Sequence, residues 1–283
     1  MPRFAYVNGR YVPHGAATVH IEDRGYQFAD GVYEVIPIDR GRLVDEAPHL
    51  DRLDYSLGEL RIAAPMGRRA LQMVLREVIR RNGVRQGLVY LQVTRGVAPR
   101  DHKFPKSARS ALVVTTRRLK PLAAWMLEEG VGVITLPDIR WQRRDIKSIA
   151  LLPNVLAKQQ AAERGAYEAW QVDATGHITE GASTNAWSVT RSGEIVTRPR
   201  GHDILSGITR LALLDLVAEG GLTLAERTFS LDELHGAAEA FLTGSSIYVV
   251  PVTRVDGRPI GSGKPGPVTR RLRDLFMARL ERP

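Results

Sequence analysis

The chain has 283 residues, 43% of them hydrophobic and 25% charged, and its 40 Lys and Arg against 31 Asp and Glu give a formal charge of +9. That apolar fraction excludes intrinsic disorder, 26 Gly and 16 Pro exclude a collagen-like chain, and zero Cys excludes a disulfide scaffold, a thiolate metal site and a cysteine nucleophile. The length suits two modest domains, no run approaches the roughly 20 apolar residues that cross a bilayer, and the N-terminal MPRFAYVNGRYVP lacks a signal-peptide core, so the chain reads as cytoplasmic.

Phe4-Ala5-Tyr6-Val7 reads as a strand that turns at Asn8-Gly9 and returns through Arg10-Tyr11-Val12. Gly31 to Asp39 is a second strand, with a turn at Arg40-Gly41 and a short return. Helices follow at Ala47–Leu60 and Arg68–Arg81, the second with an apolar stripe through Leu71, Val74, Leu75, Val78 and Ile79 and a stop at Asn82-Gly83. Strands at Leu88–Arg95 and Ser110–Thr116 close an α+β unit over residues 1–118. Residues 119–124, with Pro121, form the linker, and residues 125–283 form a larger α+β domain. Within it the pattern predicts a strand at Gly130–Leu136, a helix at Asn154–Arg164 capped by Asn154, and strands at Glu168–Asp173 and Ala186–Thr190. A helix at Thr209–Glu219, a strand at Ala238–Thr243 and a helix at Val268–Leu280 complete it.

The sequence pI of 10.1 raises the question of nucleic acid. The basic residues are scattered, with only short runs at Arg117-Arg118, Arg143-Arg144 and Arg270-Arg271, and aromatics are 6% of the chain. A solvated basic surface explains this better than a nucleic-acid site.

Several stretches carry chemistry. Leu205-Ser206-Gly207-Ile208-Thr209-Arg210 opens a helix with a Ser cap, a Gly for close approach and a Thr hydroxyl, the ingredients of an anion site or of an ordinary capped helix. Thr243-Gly244-Ser245-Ser246 offers hydroxyls and N–H groups at a strand end, and is equally a plain polar turn. Neither matches a P-loop. Lys147, one of six lysines, stands at the mouth of the apolar run Ile149-Ala150-Leu151-Leu152. An amine drawn out of water there is the nucleophile that Schiff-base chemistry needs, although a lysine reaching out from a loop has the same signature. Lys158 reads as solvated. Glu180, before Gly181-Ala182-Ser183, is a functional carboxylate or a turn acid. Arg100 and His102 place two donors on one loop, which suits a carboxylate or is a charged surface loop. The histidines show no metal-ligand spacing, so no metal is expected.

Taken in order, these stretches resemble the fold type IV pyridoxal-phosphate aminotransferases, and among them the D-amino acid aminotransferases. The resemblance runs nearly end to end. It includes Tyr6-Val7-Asn8-Gly9, the run Glu22 to Val35 (EDRGYQFADGVYEV), His49-Leu50-Asp51-Arg52-Leu53 and Thr94 to His102 (TRGVAPRDH). It continues through Asp145-Ile146-Lys147-Ser148, Asn154 to Gln159, Thr179-Glu180-Gly181 and Gly207-Ile208-Thr209-Arg210. The resemblance implies a two-domain α+β fold with pyridoxal 5′-phosphate between the domains and the lysine on the C-terminal one. Lys147 would hold the cofactor's aldehyde and move the substrate's α-proton, and Glu180 would pair with the pyridine nitrogen. Arg52, Ile208, Thr209 and Ser245 would hold the phosphate. Tyr33, with Arg100 and His102 from the partner subunit, would hold the substrate carboxylate, which implies a homodimer acting on amino acids and 2-oxo acids.

Two positions depart from the family pattern. Pro153 replaces a Gly and stiffens the loop after the lysine, and Gly244 replaces a Ser and removes one phosphate hydroxyl. Branched-chain L-aminotransferases share the fold, but usually read Phe-Glu-Gly where this chain has Tyr33-Glu34-Val35 and lack the Arg100-x-His102 pair. An (R)-selective amine transaminase and an aminodeoxychorismate lyase share the lysine and phosphate sites. A non-catalytic nucleic-acid-binding protein is the alternative from a different class.

Overall fold

The computed structural model describes residues 3–281. The chain divides into two compact units. One holds the chain up to Lys120 together with Ile146–Ala150, and the other holds Pro121–Asp145 and the chain from Leu151 onward. The first boundary lies between Lys120 and Pro121. The lysine segment differs from expectation, since it groups with the N-terminal unit rather than with the C-terminal domain around it.

The first unit contains β1 (Phe4–Val7), β2 (Arg10–Pro13), α1 (Arg24–Phe28), β3 (Gly31–Asp39), β4 (Arg42–Leu43), α2 (Glu46–Glu59), α3 (Arg68–Asn82), β5 (Gly87–Thr94) and β6 (Ala111–Arg118). Among the described residues its strands form an antiparallel six-stranded sheet, β2-β1-β6-β5-β3-β4. Both hairpin turns carry left-handed residues, Asn8 and Gly9 at φ 45° and 94° and Arg40 and Gly41 at φ 51° and 83°, the geometry that matches strand twist in two-residue loops. β5 alternates, burying Val89, Leu91 and Val93, and these join Leu50, Leu53 and Leu57 of α2 and Leu71, Leu75 and Val78 of α3 in one core. Ile146 belongs to that core, and the backbone after it pairs with β3. Tyr33 N–H donates to Lys147 O at 3.0 Å and Ile149 N–H to Gly31 O at 3.0 Å. The short β4 reaches only Ile38 and Asp39, so the start of β3 is left for this segment.

The second unit contains α4 (Trp125–Glu128), β7 (Val131–Pro137), α5 (Leu152–Glu163), β8 (Glu168–Val172), β9 (Ile178–Gly181), β10 (Asn185–Val189), β11 (Ile195–Thr197), α6 (Ile208–Glu219), β12 (Leu224–Glu226), α7 (Leu231–His235), β13 (Glu239–Gly244), β14 (Tyr248–Val255), β15 (Arg258–Pro259) and α8 (Pro267–Glu281). Among the described residues its sheet runs β12-β11-β10-β13-β14-β7-β8-β9, with β15 on β14, and the β11/β12, β14/β7 and β7/β8 pairs are parallel. α6 and α8 bury Leu213, Leu216, Leu272 and Phe276 against Trp187 and Phe241, whose rings stack at 5.2 Å.

Two helix starts differ from the sequence reading. α5 begins at Leu152 with Pro153 in its first turn, where a missing N–H costs nothing, and Asn154 donates to Ala182 O at 2.8 Å instead of capping. α6 is capped by Gly207, not Ser206. No helix among the described residues is long and apolar enough to cross a membrane.

Inside the first unit a buried ion cluster ties β3 to α2. Arg52 Nε and Nη2 donate to Glu34 Oε1 and Oε2 at 2.7 and 2.8 Å, and His49 Nδ1 donates to Glu34 Oε2 at 2.7 Å. Burial raises the Glu34 carboxyl, but the Arg52 charge and the hydrogen bonds from Arg52 and His49 outweigh it and bring it down to about 2. Burial also pushes the His49 imidazole below its ordinary value, against the pull of Glu34. Because the folded value of Glu34 lies below its ordinary 4.5, its contribution to stability is complete above 4.5 and is lost as pH falls through about 2. Glu34→Gln strands the Arg52 charge, so near neutral pH it should destabilise the protein by about 3–5 kcal/mol in denaturant unfolding. That difference from the wild type should close as pH falls from 4.5 towards 2.

Candidate active site

The sequence-predicted residues fall into three groups. The first surrounds Lys147. Its backbone is held on both sides, with N–H donating to Ser56 Oγ at 3.2 Å and O accepting from Tyr33 N–H. Ser56 is one turn beyond Arg52 on α2, so the helix that carries the guanidinium also fixes the lysine. The half-buried amine has no carboxylate or hydrogen-bond partner among the described residues, and Nζ lies 4.1 Å from the centroid of the Tyr33 ring. A fixed backbone with an uncommitted amine suits a covalent attachment point.

The second group is the loop of Arg100 and His102, and the run Asp23–Asp30 builds it. Asp23 caps α1 by accepting from Gly25 N–H at 2.8 Å and also accepts from Thr94 Oγ1 at 2.9 Å. Arg24 is buried, donates from Nε to Asp30 Oδ2 at 2.8 Å, and reaches Asp101 O with Nη1. Arg95 holds Asp30 with two bonds of 2.7 and 2.9 Å. Phe28 then supports both predicted residues, with the Arg100 guanidinium 4.9 Å and the His102 ring 5.3 Å from its centroid. Both side chains are exposed, and no contact of either with Tyr33 is found among the described residues.

The third group lies in the second unit. Glu180, on β9 and only 4% exposed, accepts from Asn185 Nδ2 at 2.9 Å, from Leu205 N–H at 3.1 Å to each oxygen, and from Arg140 Nη1. Burial pushes its carboxyl up, while the Arg140 charge and the Leu205 N–H pull against burial and Asp138 acts with it. Asn185 Nδ2 also donates to Leu205 O at 3.0 Å, so the carboxylate is tied to the residues that lead into α6. A methyl group built on Gly207 would fall 2.1 Å from Asn185 Oδ1, which explains the glycine. Beyond it the first-turn N–H groups of Ile208 and Thr209 have no carbonyl one turn back and carry the positive end of the helix dipole. Ser245 lies in the turn that joins β13 and β14, while Thr243 Oγ1 is committed to Trp187 Nε1 at 3.0 Å. Gly244 has room for a side chain, its nearest neighbour to a built methyl lying at 3.6 Å.

Lys158, expected to be solvated, is part-buried and donates to Tyr167 O, with Glu168 3.4 Å away. Sequence reasoning missed Arg140, Glu34 and His49. A lone arginine after Asp138 on a loop has no motif, and the run His49 to Arg52 signals a helix rather than an ion cluster.

Taken one by one, an uncommitted amine suits an aldehyde, a buried carboxylate that only accepts suits a basic ring nitrogen, and a helix N-terminus suits a phosphate. The sequence profile of the class IV amino-transferases matches residues 31–255. The chain is 43% identical to the D-alanine aminotransferase of Bacillus licheniformis, covering 93% of this chain and 92% of that enzyme. It is 37% identical to the D-alanine aminotransferase of Staphylococcus haemolyticus, over 98% and 97%. Among solved structures it resembles the T.th. branched-chain amino acid aminotransferase with pyridoxamine 5′-phosphate, at TM-score 0.92 and 26% identity over 100% of this chain and 96% of that one. The Escherichia coli branched-chain enzyme gives TM-score 0.91 and 26% identity over 98% and 94%. This chain belongs to the class IV aminotransferase family.

Proposed function

We propose that the protein transfers the amino group of a D-amino acid, such as D-alanine, to a 2-oxo acid, such as 2-oxoglutarate, in two half-reactions of a ping-pong cycle. The observation that carries this reading is the uncommitted Lys147 amine beside Tyr33 on a backbone fixed by β3 and α2. Pyridoxal 5′-phosphate is the cofactor, and when bound it draws the electron pair of the substrate's α-carbon into its ring. Lys147 is assigned the cofactor's attachment and, once released, the transfer of the α-proton as base and acid. Glu180 accepts the ring N–H. Arg52, the N–H groups of Ile208 and Thr209, and the Ser245 hydroxyl hold the phosphate.

Tyr33, Arg100 and His102 are assigned the substrate's α-carboxylate, with the last two supplied across a homodimer interface. Their exposure supports this, as do the exposed apolar side chains Leu152, Val155 and Leu156 spaced along α5, which a second subunit would cover. Where the carboxylate is fixed decides which hydrogen of the α-carbon faces the lysine, so stereochemistry follows from the trap rather than from a different base. The Arg100-x-His102 pair, and relatives named for D-alanine at 37–43% identity, favour this over the branched-chain reaction of the structural neighbours. A cytoplasmic location completes the reading.

D-Alanine, unlike L-leucine or (R)-1-phenylethylamine, should bleach the visible band of the purified holoenzyme and release pyruvate. Bleaching by L-leucine alone would move the assignment to the branched-chain reaction. Lys147→Ala should lower turnover by about 10²–10⁴-fold and leave no cofactor mass on the protein after borohydride reduction. Arg100→Ala removes a charge-assisted contact of about 2–3 kcal/mol, so KM for D-alanine should rise about 30- to 150-fold with thermal stability unchanged. An unchanged KM would remove Arg100 from the substrate site.

A further inference from the structure

Glu180 has an unusual set of neighbours. Its oxygens accept from Arg140, Asn185 and Leu205 N–H, and no acceptor faces it among the described residues, so a proton on the carboxyl would have nothing to donate to. The site is built for the ionised form, with capacity to accept one further N–H. Arg140 is the only cation in contact with it among the described residues, and its side chain is 7% exposed.

The rest of Arg140 is clamped. Its Nε and Nη2 donate to Asp138 Oδ1 and Oδ2 at 2.9 and 2.7 Å, and its backbone N–H donates to Asp138 Oδ1 at 3.2 Å. The Asp138 side chain is wholly buried, accepts from Thr179 Oγ1 at 2.8 Å and has Arg144 Nε at 3.3 Å. The clamp spends the fork of the guanidinium on Asp138 and leaves Nη1 to point at Glu180. The charged groups that bear on Glu180 are therefore Arg140 in contact, Asp138 behind it, and Arg210 of α6 farther off.

We propose that Arg140 is a positioning residue that keeps the proton shared by Glu180 and the cofactor's ring nitrogen on the nitrogen. This rests on the assignment of Glu180 to that nitrogen. In an N–H···O pair the proton sits on the group of higher proton affinity. Arg140 acts on the Glu180 oxygen at hydrogen-bond distance, and on anything beyond the carboxylate at greater distance, so its net effect is to make Glu180 the weaker base. Burial already pushes this carboxyl up, and Arg140 is the largest influence that opposes it. Without Arg140 a glutamic acid would face a neutral pyridine, the ring would be a poorer electron acceptor, and the cofactor would remain bound through its phosphate.

The test is the ring ¹⁵N chemical shift of holoenzyme loaded with ring-¹⁵N cofactor near neutral pH. The wild type should give the pyridinium position, Glu180→Gln the neutral pyridine position, and Arg140→Gln a shift towards the neutral position. Arg140→Lys, which keeps the charge but not the fork, should stay with the wild type. A purely structural role would lower thermal stability in both Arg140 variants and leave the shift where it was, and that result overturns the proposal. If Glu180→Gln leaves the shift unmoved, the assignment of Glu180 itself fails. Should Arg140→Gln not fold, Asp138→Asn carries the test in the same sense. Like Arg140→Gln it weakens the hold of the cation on Glu180, here by releasing the fork that aims Nη1, so the shift should move towards the neutral position, and a shift that stays with the wild type overturns the proposal.

Discussion

A carboxylate taken out of water costs several kcal/mol unless a cation and hydrogen bonds replace its hydration. The chain does this with Glu34 on β3 and again with Glu180 on β9, each against an arginine. The two solutions differ in a way that decides what each residue can do. Arg52 closes on Glu34 with two parallel bonds and His49 adds a third, so the carboxylate is consumed in fixing the guanidinium. Arg140 gives Glu180 one nitrogen while its fork is held by Asp138, and the carboxylate keeps room for a further donor. The first arrangement orients an arginine. The second offers a base to a ligand.

The contrast also explains why buried ion pairs suit this protein although such pairs add little net stability. Under the proposed assignment Arg52 must be presented to a phosphate at one orientation, and the bidentate Glu34 partner imposes that on a long side chain. The proposed role of Glu180 needs it ionised at a buried position, where the fixed cation Arg140 favours the charged form. In both cases the pair supplies orientation or charge state at a place where water would supply neither.

Much of this was legible in the sequence where a local rule governs the structure. Asn8-Gly9 and Arg40-Gly41 announce their hairpins, and the apolar stripe of α3 fixes that helix to within a residue at either end. Gly207 reads as a glycine for close approach to an anion, whereas the observed neighbour that excludes a side chain there is Asn185, which reaches Leu205 and Glu180. What was not legible depends on distant partners. β9, β11 and β12 are three or four residues long, too short for alternation to register. β14 opens on Tyr248 at φ 59°, a left-handed conformation that a tyrosine does not announce. The Lys147 segment belongs to the first unit because its backbone pairs with Gly31–Tyr33, and no pattern around the lysine encodes a bond to so remote a strand. Arg140 was missed for the same reason, since this loop residue takes its meaning from Glu180 on β9.

That remote pairing has a chemical consequence. A lysine that is to bond a carbonyl and later move a proton cannot be held by a salt bridge, because a carboxylate at its amine would stabilise the ammonium and block attack. It still has to be aimed. The chain resolves the conflict by placing all the constraint in the backbone, with Lys147 O on Tyr33 and Lys147 N on Ser56, and by leaving only an aromatic ring beside Nζ. An aromatic face attracts an ammonium weakly and offers no acceptor that competes with a bond to the amine. Tyr33 is thus both the backbone donor that fixes the lysine and the ring against which its amine rests, which makes the first turn-to-strand residues of β3 the mechanical base of the proposed chemistry.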